Sequence, residues 1–172
     1  MKRISVLILI ITTLLLGSCN MFRGATVPRR LPESHEDERM NSILDAMKNG
    51  DKDALKSMFS KKTLSEATSF DENLNALFDF FQGEVKSVTV KGNSSSFQRH
   101  DGIVKSWTNA WYKVETDQHN YLFIFVDYEK DEELEDNIGL YMLRVILEEE
   151  KDELFKSWEE IEIPGIFCSS LE

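Results

Sequence analysis

The sequence predicts an α+β fold in which N-terminal helices pack on one face of a four-stranded antiparallel sheet. Two observations carry this prediction. Apolar residues recur at helical spacing between residues 36 and 81, whereas the alternating and continuous apolar stretches typical of strands follow between residues 85 and 147. Short links join the strand segments, which do not alternate with helices, and this order favours an antiparallel sheet over a parallel one.

Three helices are predicted before the first strand. The first covers residues 36–48, and its apolar stripe follows the i, i+3, i+4, i+7 pattern with Met40, Ile43, Leu44 and Met47. Asp51 is placed to cap a second, short helix that runs to about residue 59. Two segments with the spacing of a capping box, residues 63–66 and 69–72, can each open the third helix, which is expected to end before Gly83.

Four strands are predicted after these helices. Their approximate ranges are 85–90, 104–116, 121–128 and 138–147. The third strand reads YLFIFV, which is apolar at every position, as expected of a strand that is covered on both faces. A polar loop is predicted at residues 92–96 and an acidic connection at residues 129–137. Residues 151–168 are too apolar for disorder and are predicted to pack back on the domain.

The first 18 residues have the outline of a secretory signal peptide. Lys2 and Arg3 give it a positive start, and residues 4–16 form an apolar stretch that only three hydroxyl residues interrupt. A membrane-spanning helix needs about 20 apolar residues, and this stretch stops short of that length at Gly17. We therefore predict that residues 1–18 are cleaved off and do not span the membrane.

The residues at the end of this stretch, Leu16-Gly17-Ser18-Cys19, resemble the lipobox of bacterial lipoproteins. The resemblance implies that the Cys19 thiol receives a diacylglyceryl group and that Cys19 becomes the N-terminus of a lipoprotein on the extracytoplasmic side of the cell membrane. Two or more acyl chains, such as palmitate, anchor a protein firmly. The alternative is an ordinary signal peptide with a chance cysteine. If Cys19 is acylated, the other cysteine, Cys168, has no partner for an intramolecular disulfide and is expected to fill space in the core.

Charge divides the mature chain into a basic tether and an acidic domain. Residues 19–35 lack hydrophobic periodicity and contain prolines and three arginines, so we predict a flexible tether that leads to a single domain at residues 36–172. Five of the 20 basic residues lie in the first 30 positions, where none of the 31 acidic residues lies. The acidic domain argues against nucleic-acid binding, which depends on Lys and Arg contacts to phosphates. Basic partners and divalent cations are compatible with it, although an acidic surface can also simply keep a protein soluble.

Three segments carry a resemblance to a known family: LFDFFQG (residues 77–83), IGLYMLRV (residues 138–145) and IPGIF (residues 163–167). They are similar to segments of the uncharacterised bacterial lipoproteins grouped as domain of unknown function 5104. The order of helices and strands is also similar to the nuclear-transport-factor-2-like fold, in which a curved four-stranded antiparallel sheet wraps a helix as a cone. The resemblance implies this fold and an anchored location, and it brings no activity or catalytic residues. The acidic stretch at residues 127–136 departs from the family.

A cone of this kind often encloses a pocket, and Arg144 is the first candidate to line it. Arg144 lies in an otherwise apolar strand, on the same face as Leu140 and Met142 if the residues alternate. A buried guanidinium there needs a carboxylate or an anionic ligand, and Asp79 and Asp127 are the candidate partners. The alternative is that Arg144 lies on the outer face of the strand or at its solvent end.

Aromatic side chains form the second set of candidate binding residues. Trp107 and Trp111 share one strand face, Tyr121 and Phe123 share a face of the next strand, and Tyr141 belongs to the fourth. Rings in such a set can stack against a sugar or a flat apolar ligand. Core packing explains the same pattern.

The sequence offers no catalytic or metal-binding motif. His100 and Asp101 are an adjacent histidine and carboxylate, and they lack the neighbours of a triad. Asp127 and Tyr128 resemble the carboxylate and phenol of isomerases with this fold, without a spacing motif to support the likeness. The carboxylates of residues 131–136 lack the order of an EF-hand loop. We therefore predict no cofactor and no metal.

The function that these observations favour is non-enzymatic binding of a small molecule or a protein by a membrane-anchored domain. One alternative is a lipid-anchored hydrolase or isomerase that uses the cone pocket. Another is an immunity-like protein whose acidic face neutralises a basic toxin.

Overall fold

A computed structural model of the chain describes residues 34–154 and 163–169. The predicted signal peptide, the predicted lipidation site Cys19 and the predicted tether up to residue 33 lie outside the described residues. Within the described ranges, no helix has the length and apolar character needed to cross a membrane.

Four helices precede the sheet in the part of the chain that the structure describes. They are α1 (His35–Asn49), α2 (Lys52–Ser57), α3 (Lys61–Glu66) and α4 (Phe70–Phe80). Ser34 caps α1 by accepting a hydrogen bond from the Asp37 N–H, and Gly50 ends the helix in the left-handed conformation at φ 66°. Asp51 caps α2 as predicted, by accepting from the Ala54 N–H at 2.9 Å. The first two predicted helices are therefore confirmed.

The third predicted helix is two helices. Ser60, and not Thr63, caps α3, because the Ser60 hydroxyl accepts from the Thr63 N–H at 3.0 Å. Ser69 does open α4 where a capping box was predicted, but its backbone is left-handed at φ 52° and its side chain makes no capping hydrogen bond. A turn at residues 68 and 69 separates α3 from α4.

Among the described residues the sheet has five strands, in the order β1 (Val85–His100), β2 (Ile103–Thr116), β3 (Asn120–Asp131), β4 (Gly139–Leu147) and β5 (Gly165–Cys168). The pairs β1–β2, β2–β3 and β3–β4 are antiparallel, and β5 runs parallel to β4, so the sheet is mixed. The predicted α+β class is confirmed, whereas the predicted four-stranded, purely antiparallel sheet is wrong because β5 adds a parallel fifth strand. A four-residue strand is too short to show a period, and only its pairing, with Phe167 opposite Arg144, defines it.

The predicted polar loop at residues 92–96 is also wrong, because those residues belong to β1. They pair with the segment of β2 from Trp111 back to Trp107. Polar side chains are compatible with this strand because β1 lies at the edge of the sheet, where its residues are mostly exposed. The hairpin of β1 and β2 ends at Asp101 and Gly102, which both have positive φ.

Two apolar clusters lie on opposite faces of the sheet. The helices cover the inner face, where the largest cluster includes Met40, Ile43, Leu77, Phe123 and Phe125. The outer face carries a second cluster, which consists of Leu122, Ile124, Val126, Met142 and Ile146. The prediction that the third strand is covered on both faces is therefore confirmed.

An irregularity in β4 changes which side chains share a face. Val126 pairs with Met142 but Asp127 pairs with Leu140, so Tyr141 is an extra residue that forms a bulge. Leu140 consequently belongs to the inner cluster and Met142 to the outer one. The expectation that Leu140 and Arg144 share a face is wrong, because a bulge breaks the alternation between them.

Short helical turns follow β3 and β4. Two are 3-10 turns, Glu135–Asn137 and Glu148–Glu150, and the latter leads into α5 (Lys151–Leu154). The predicted return of the C-terminal segment to the domain is confirmed for β5, where Ile166 and Cys168 are buried. An Asn73 side-chain amide from α4 donates to the Ile166 carbonyl at 3.0 Å and fixes this strand.

Candidate functional site

Side chains fill the space between the helices and the sheet. Tyr112, Tyr121, Phe123 and Phe125 are all fully buried there. The Tyr121 hydroxyl donates to the Phe80 carbonyl at 3.2 Å and accepts from the Gln82 N–H at 2.9 Å. The structure therefore places Tyr121 and Phe123, two of the predicted ligand contacts, in the packed core.

Asp127 lies on the inner face and is the centre of a charged cluster. Arg39 donates its Nε–H to the Asp127 carboxylate at 2.6 Å, and its Nη2 lies 3.4 Å from the other carboxylate oxygen. His35 Nε2 lies 3.1 Å from the same carboxylate. We call His35, Arg39 and Asp127 the Asp127 cluster. It joins the first helix to the third strand.

The Asp127 cluster connects α1 to β3 through a buried carboxylate, and His35 is its most exposed member. The Asp127 side chain is only 1% exposed, whereas that of His35 is 44% exposed. Asp127 was predicted as a partner of Arg144, but this is wrong because the two lie on opposite faces of the sheet. The other predicted partner, Asp79, is exposed at the end of α4. Sequence reasoning missed His35 and Arg39. Their i, i+4 spacing at the start of the first helix was the available signal, since such residues share a helix face.

A second polar contact lies beside this cluster. Asp37 of α1 accepts hydrogen bonds from the Tyr112 hydroxyl at 2.8 Å and from the Ser34 hydroxyl at 2.7 Å. Burial of the phenol raises the pKa of Tyr112 far above its ordinary value, and the hydrogen bond to the Asp37 carboxylate raises it further. Tyr112 is therefore a neutral hydrogen-bond donor in the fold, and not an acid or base for catalysis.

The outer face carries the other predicted aromatic residues. Trp107 stacks on Tyr128 with ring centroids 5.7 Å apart, and Tyr128 meets Tyr141 edge to face at 6.1 Å. The Arg144 guanidinium lies 4.1 Å from the centroid of the Phe167 ring, in cation–π geometry. Trp107, Trp111, Tyr141 and Arg144 thus lie on one side of the sheet, whereas Tyr121, Phe123 and Asp127 lie on the other.

Two adjoining cavities form a groove at one end of the sheet, where β2 turns into β3. Their volumes are about 380 and 460 Å³, and they share His119 and Leu147. Ala76 and Phe80 of α4 give the larger cavity an apolar wall. Four carboxylates line the two cavities: Asp79, Asp117, Glu148 and Glu149. We call these two cavities together the end groove.

The acidic stretch after β3 is organised around its own buried carboxylate. Asp131 accepts hydrogen bonds from the Asn137 amide at 2.9 Å and from the Leu134 N–H at 3.0 Å, and it pairs with Lys105 at 2.9 Å. Burial by itself raises the pKa of Asp131, but the hydrogen bonds from Asn137, Lys105 and Leu134 outweigh it and hold the pKa below its ordinary value. The Asp131 carboxylate therefore stabilises the folded conformation of the acidic stretch.

Metal and acid–base chemistry find little support among the described residues. No group of three or more His, Cys, Asp or Glu side chains there is arranged to hold a metal ion. The His100–Asp101 pair spans 3.4 Å in the exposed β1–β2 turn, where the two side chains are 93% and 86% exposed. A pair so open to solvent has no environment that would orient a substrate.

One family model matches most of the sheet and the helices before it. The model is described as a domain of unknown function, DUF5104, and it matches residues 42–148. Asp127 and nearly all of the end groove lie inside this segment, whereas His35 and Arg39 precede it. No curated protein matches the chain.

Proposed function

The chain belongs to the DUF5104 family, and from that premise we propose that it is a lipid-anchored, extracytoplasmic binding domain without enzymatic activity. Its ligand binds in the end groove. The packing of the helices on one face of the long strands supports the finer proposal that the fold is a curved, nuclear-transport-factor-2-like cone whose interior is occupied by its own side chains.

The observation that carries this proposal is the composition of the end groove. Its total volume falls in the range of about 300–1,000 Å³ that is typical of small-ligand sites. Ala76, Phe80 and Leu147 form an apolar part, while Glu148 and Glu149 lie on the polar side. No lysine or arginine is among the described residues that line it. This arrangement suits a ligand with an apolar portion next to a cationic group.

A pair of matched probes tests the preference for a cation. Hexylamine and hexanoate have the same apolar chain and opposite charges at neutral pH. In ligand-observed NMR with the detergent-solubilised chain, we expect saturable binding of hexylamine and none of hexanoate, because the groove is lined by carboxylates. Equal binding of the two probes would contradict the proposed chemistry.

A steric variant tests the location of the groove. Ala76→Tyr extends a side chain into the larger cavity and is expected to abolish hexylamine binding. Glu72→Tyr is the matched control, since it introduces the same side chain at an exposed position of the same helix that lines neither cavity. If Ala76→Tyr binds hexylamine as well as Glu72→Tyr does, the ligand binds elsewhere.

The membrane anchor is proposed from the residues around Cys19. The apolar stretch before Cys19 and the small residues at positions 17 and 18 support lipidation of its thiol. A Cys19→Ser variant is therefore expected to leave the membrane pellet and to lack the mass of the acyl chains. Retention of the variant in the membrane fraction would show that another feature of the chain holds it there.

A lipid-anchored hydrolase or isomerase that uses Asp127 is the second candidate. The contact between His35 and the buried Asp127 carboxylate favours it, since a histidine oriented by a carboxylate can act as a general base. The binding function is favoured over it because Arg39 already contacts both oxygens of this carboxylate. Hydrolysis of p-nitrophenyl esters that is lost in His35→Ala but kept in Ala76→Tyr would support the enzyme instead.

A further inference from the structure

We infer that the end groove of one copy of this chain binds the tip of the β1–β2 hairpin of a second copy. The inference rests on the proposed preference of the end groove for an apolar group next to a cation, and it names the partner that presents both. We call residues 97–103, which include the end of β1, the turn and the start of β2, the hairpin tip.

The hairpin tip presents an aromatic ring and a cation side by side. Phe97 is 64% exposed, which makes it the most exposed of the large apolar side chains among the described residues. Phe97 pairs with Ser106 and Arg99 pairs with Val104, so alternation puts Phe97 and Arg99 on the same face of β1. The Arg99 guanidinium carbon lies 5.8 Å from the centroid of the Phe97 ring. An apolar group next to a cation is therefore part of the chain itself.

The charge of Arg99 is not neutralised by an ion pair within its own copy. In the part of the chain that the structure describes, the carboxylates near Arg99 pair with other groups. Glu132, on which the charge of Arg99 acts, lies 2.7 Å from the Lys130 ammonium, and Asp101 lies 3.4 Å from the His100 ring. Arg99 is also exposed, so a carboxylate of a second copy can reach it.

The larger cavity of the end groove offers an apolar wall for the Phe97 ring. Ala76, Phe80 and Leu147 line this cavity, and each of them is only half-buried. Its volume of about 460 Å³ lies within the range of about 300–1,000 Å³ that is typical of small-ligand sites, so it holds side chains and not a whole hairpin. Burial of an exposed aromatic ring against such a wall stabilises an interface.

A carboxylate for Arg99 lies in the same cavity. Asp79 lines it and forms no ion pair with the described residues, whereas Glu148 of the smaller cavity is already paired with Lys113 at 2.8 Å. Asp79 follows Ala76 by three positions on α4, so both side chains lie on one face of this helix. The end groove therefore pairs an apolar wall with a carboxylate, as the hairpin tip pairs a ring with a guanidinium.

One copy cannot fill its own end groove. Ser106, which lies opposite Phe97, precedes Thr116 of the end groove by ten residues of the same strand, which is roughly 33 Å at about 3.3 Å per residue. The two complementary surfaces thus lie at opposite ends of β2, and copies that use them associate head to tail. The proposed lipid anchors would hold such copies in one plane and raise their local concentration.

A side-by-side pairing of two β1 edges is the competing mode of self-association, and it is disfavoured by charge. The strand contains Lys86, Lys91 and Arg99 and no carboxylate. Two such strands would bring cations together, and like charges that lie opposite each other destabilise a strand pair. This mode would also leave the end groove empty.

Photo-cross-linking of the full chain on phosphatidylcholine liposomes tests the contact directly. The chain carries Phe97→p-benzoylphenylalanine, which keeps an aromatic ring at this position. On irradiation we expect a covalent dimer in which position 97 is joined to residues 76–82 or 119–121, and hexylamine should lower its yield by competing for the end groove. Cross-links within one copy are excluded by the separation along β2. If no dimer forms, or if position 97 is joined to β1 of the second copy, the inference is wrong.

A pair of charge variants tests the role of Arg99. Arg99→Glu in the photo-reactive chain places a carboxylate against the acidic groove and should lower the yield of the dimer about tenfold or more. Gln98→Glu is the matched control, because it adds a carboxylate at the next exposed position, whose side chain points to the other face of β1. Equal yields from the two variants would refute a contact through Arg99.

Mixing two defective chains tests the head-to-tail arrangement. The photo-reactive chain with Ala76→Tyr has a hairpin tip but a blocked groove, so by itself it should form no dimer. Addition of an Arg99→Glu chain without the photo-reactive group supplies an intact groove and should restore the cross-link. Dimers of the Ala76→Tyr chain with itself, or a mixture that stays monomeric, would contradict the arrangement.

Hexylamine binding separates a failure of this inference from a failure of the proposed cation preference. If hexylamine binds in the end groove and position 97 does not cross-link there, self-association is refuted while the cation preference stands. If the cross-link to the end groove forms and hexylamine does not bind, self-association is supported and the small-cation chemistry is wrong.

Discussion

Removal of Arg39 should destabilise the fold by leaving the Asp127 carboxylate buried without its cation. Asp127 is 1% exposed, and Arg39 approaches it at 2.6 Å. Breaking a buried ion pair from one side costs about 3–5 kcal/mol. Since His35 remains 3.1 Å from the carboxylate and Arg39 itself is 21% exposed, we expect the lower end of that range, about 3 kcal/mol, for Arg39→Met.

Equilibrium urea unfolding followed by tryptophan fluorescence measures this loss in the free energy of unfolding. Arg99→Met makes the same chemical change at an exposed position of β1 and should alter stability by less than about 0.5 kcal/mol. Methionine keeps most of the aliphatic stem, so the comparison isolates the charge.

A double variant separates the burial of a charge from the loss of packing. In Arg39→Met with Asp127→Leu the buried carboxylate that Arg39 neutralises is also removed, and the double variant should be more stable than Arg39→Met alone. The reasoning is refuted if Arg39→Met costs no more than Arg99→Met, or if the second substitution only adds to the loss.

Three further predictions concern buried groups and one glycine. Because the pKa of Tyr112 is raised in the folded state, its phenol ionises more readily in the unfolded chain, where the pKa has its ordinary value of 10.0. The free energy of unfolding should therefore fall above pH 10. Tyr112→Phe should reduce that fall in a series of urea titrations. The lowered pKa of Asp131 has its effect in acid. The ionised Asp131 carboxylate stabilises the folded state above the ordinary pKa of 3.8, and this stabilisation is lost as the pH falls below that value. The stability difference between the wild type and Asp131→Asn should therefore shrink in that acid range. Gly139 has φ 118°, and a Cβ there would lie 2.8 Å from the Met58 carbonyl oxygen. Gly139→Ala should therefore lower stability by about 1–3 kcal/mol in thermal unfolding. Gly92→Ala is the control and should not lower it, because a Cβ at Gly92 would meet no atom within 4 Å.

The sequence was most informative about the helices. The apolar stripe, the Asp51 cap and the glycine at position 50 predict α1 and α2, because the interactions that define a helix end or face lie within about four residues along the chain. Ser69 was the exception. Its spacing predicts a capping box, but its backbone is left-handed and its side chain makes no capping hydrogen bond.

The candidate sites were less predictable because they combine distant segments. Trp107 and Trp111 were correctly placed on one face by alternation, yet whether that face was the helix-covered one could not be read from either strand. Arg39 was not considered as a partner for Asp127, since the two are 88 residues apart. The bulge that aligns Gly92 with Trp111 was likewise not predicted, since a bulge is visible only once both strands are paired.

By itself the sequence determined that helices come first and that consecutive strands follow them, because periodicity and capping are properties of neighbouring residues. Only the tertiary structure decided that β5 joins the sheet parallel to β4, that the Tyr141 bulge puts Leu140 and Arg144 on opposite faces, and that Asp127 is clamped to the first helix. Each of these depends on the register between segments that the chain separates widely, and local patterns carry no information about that register.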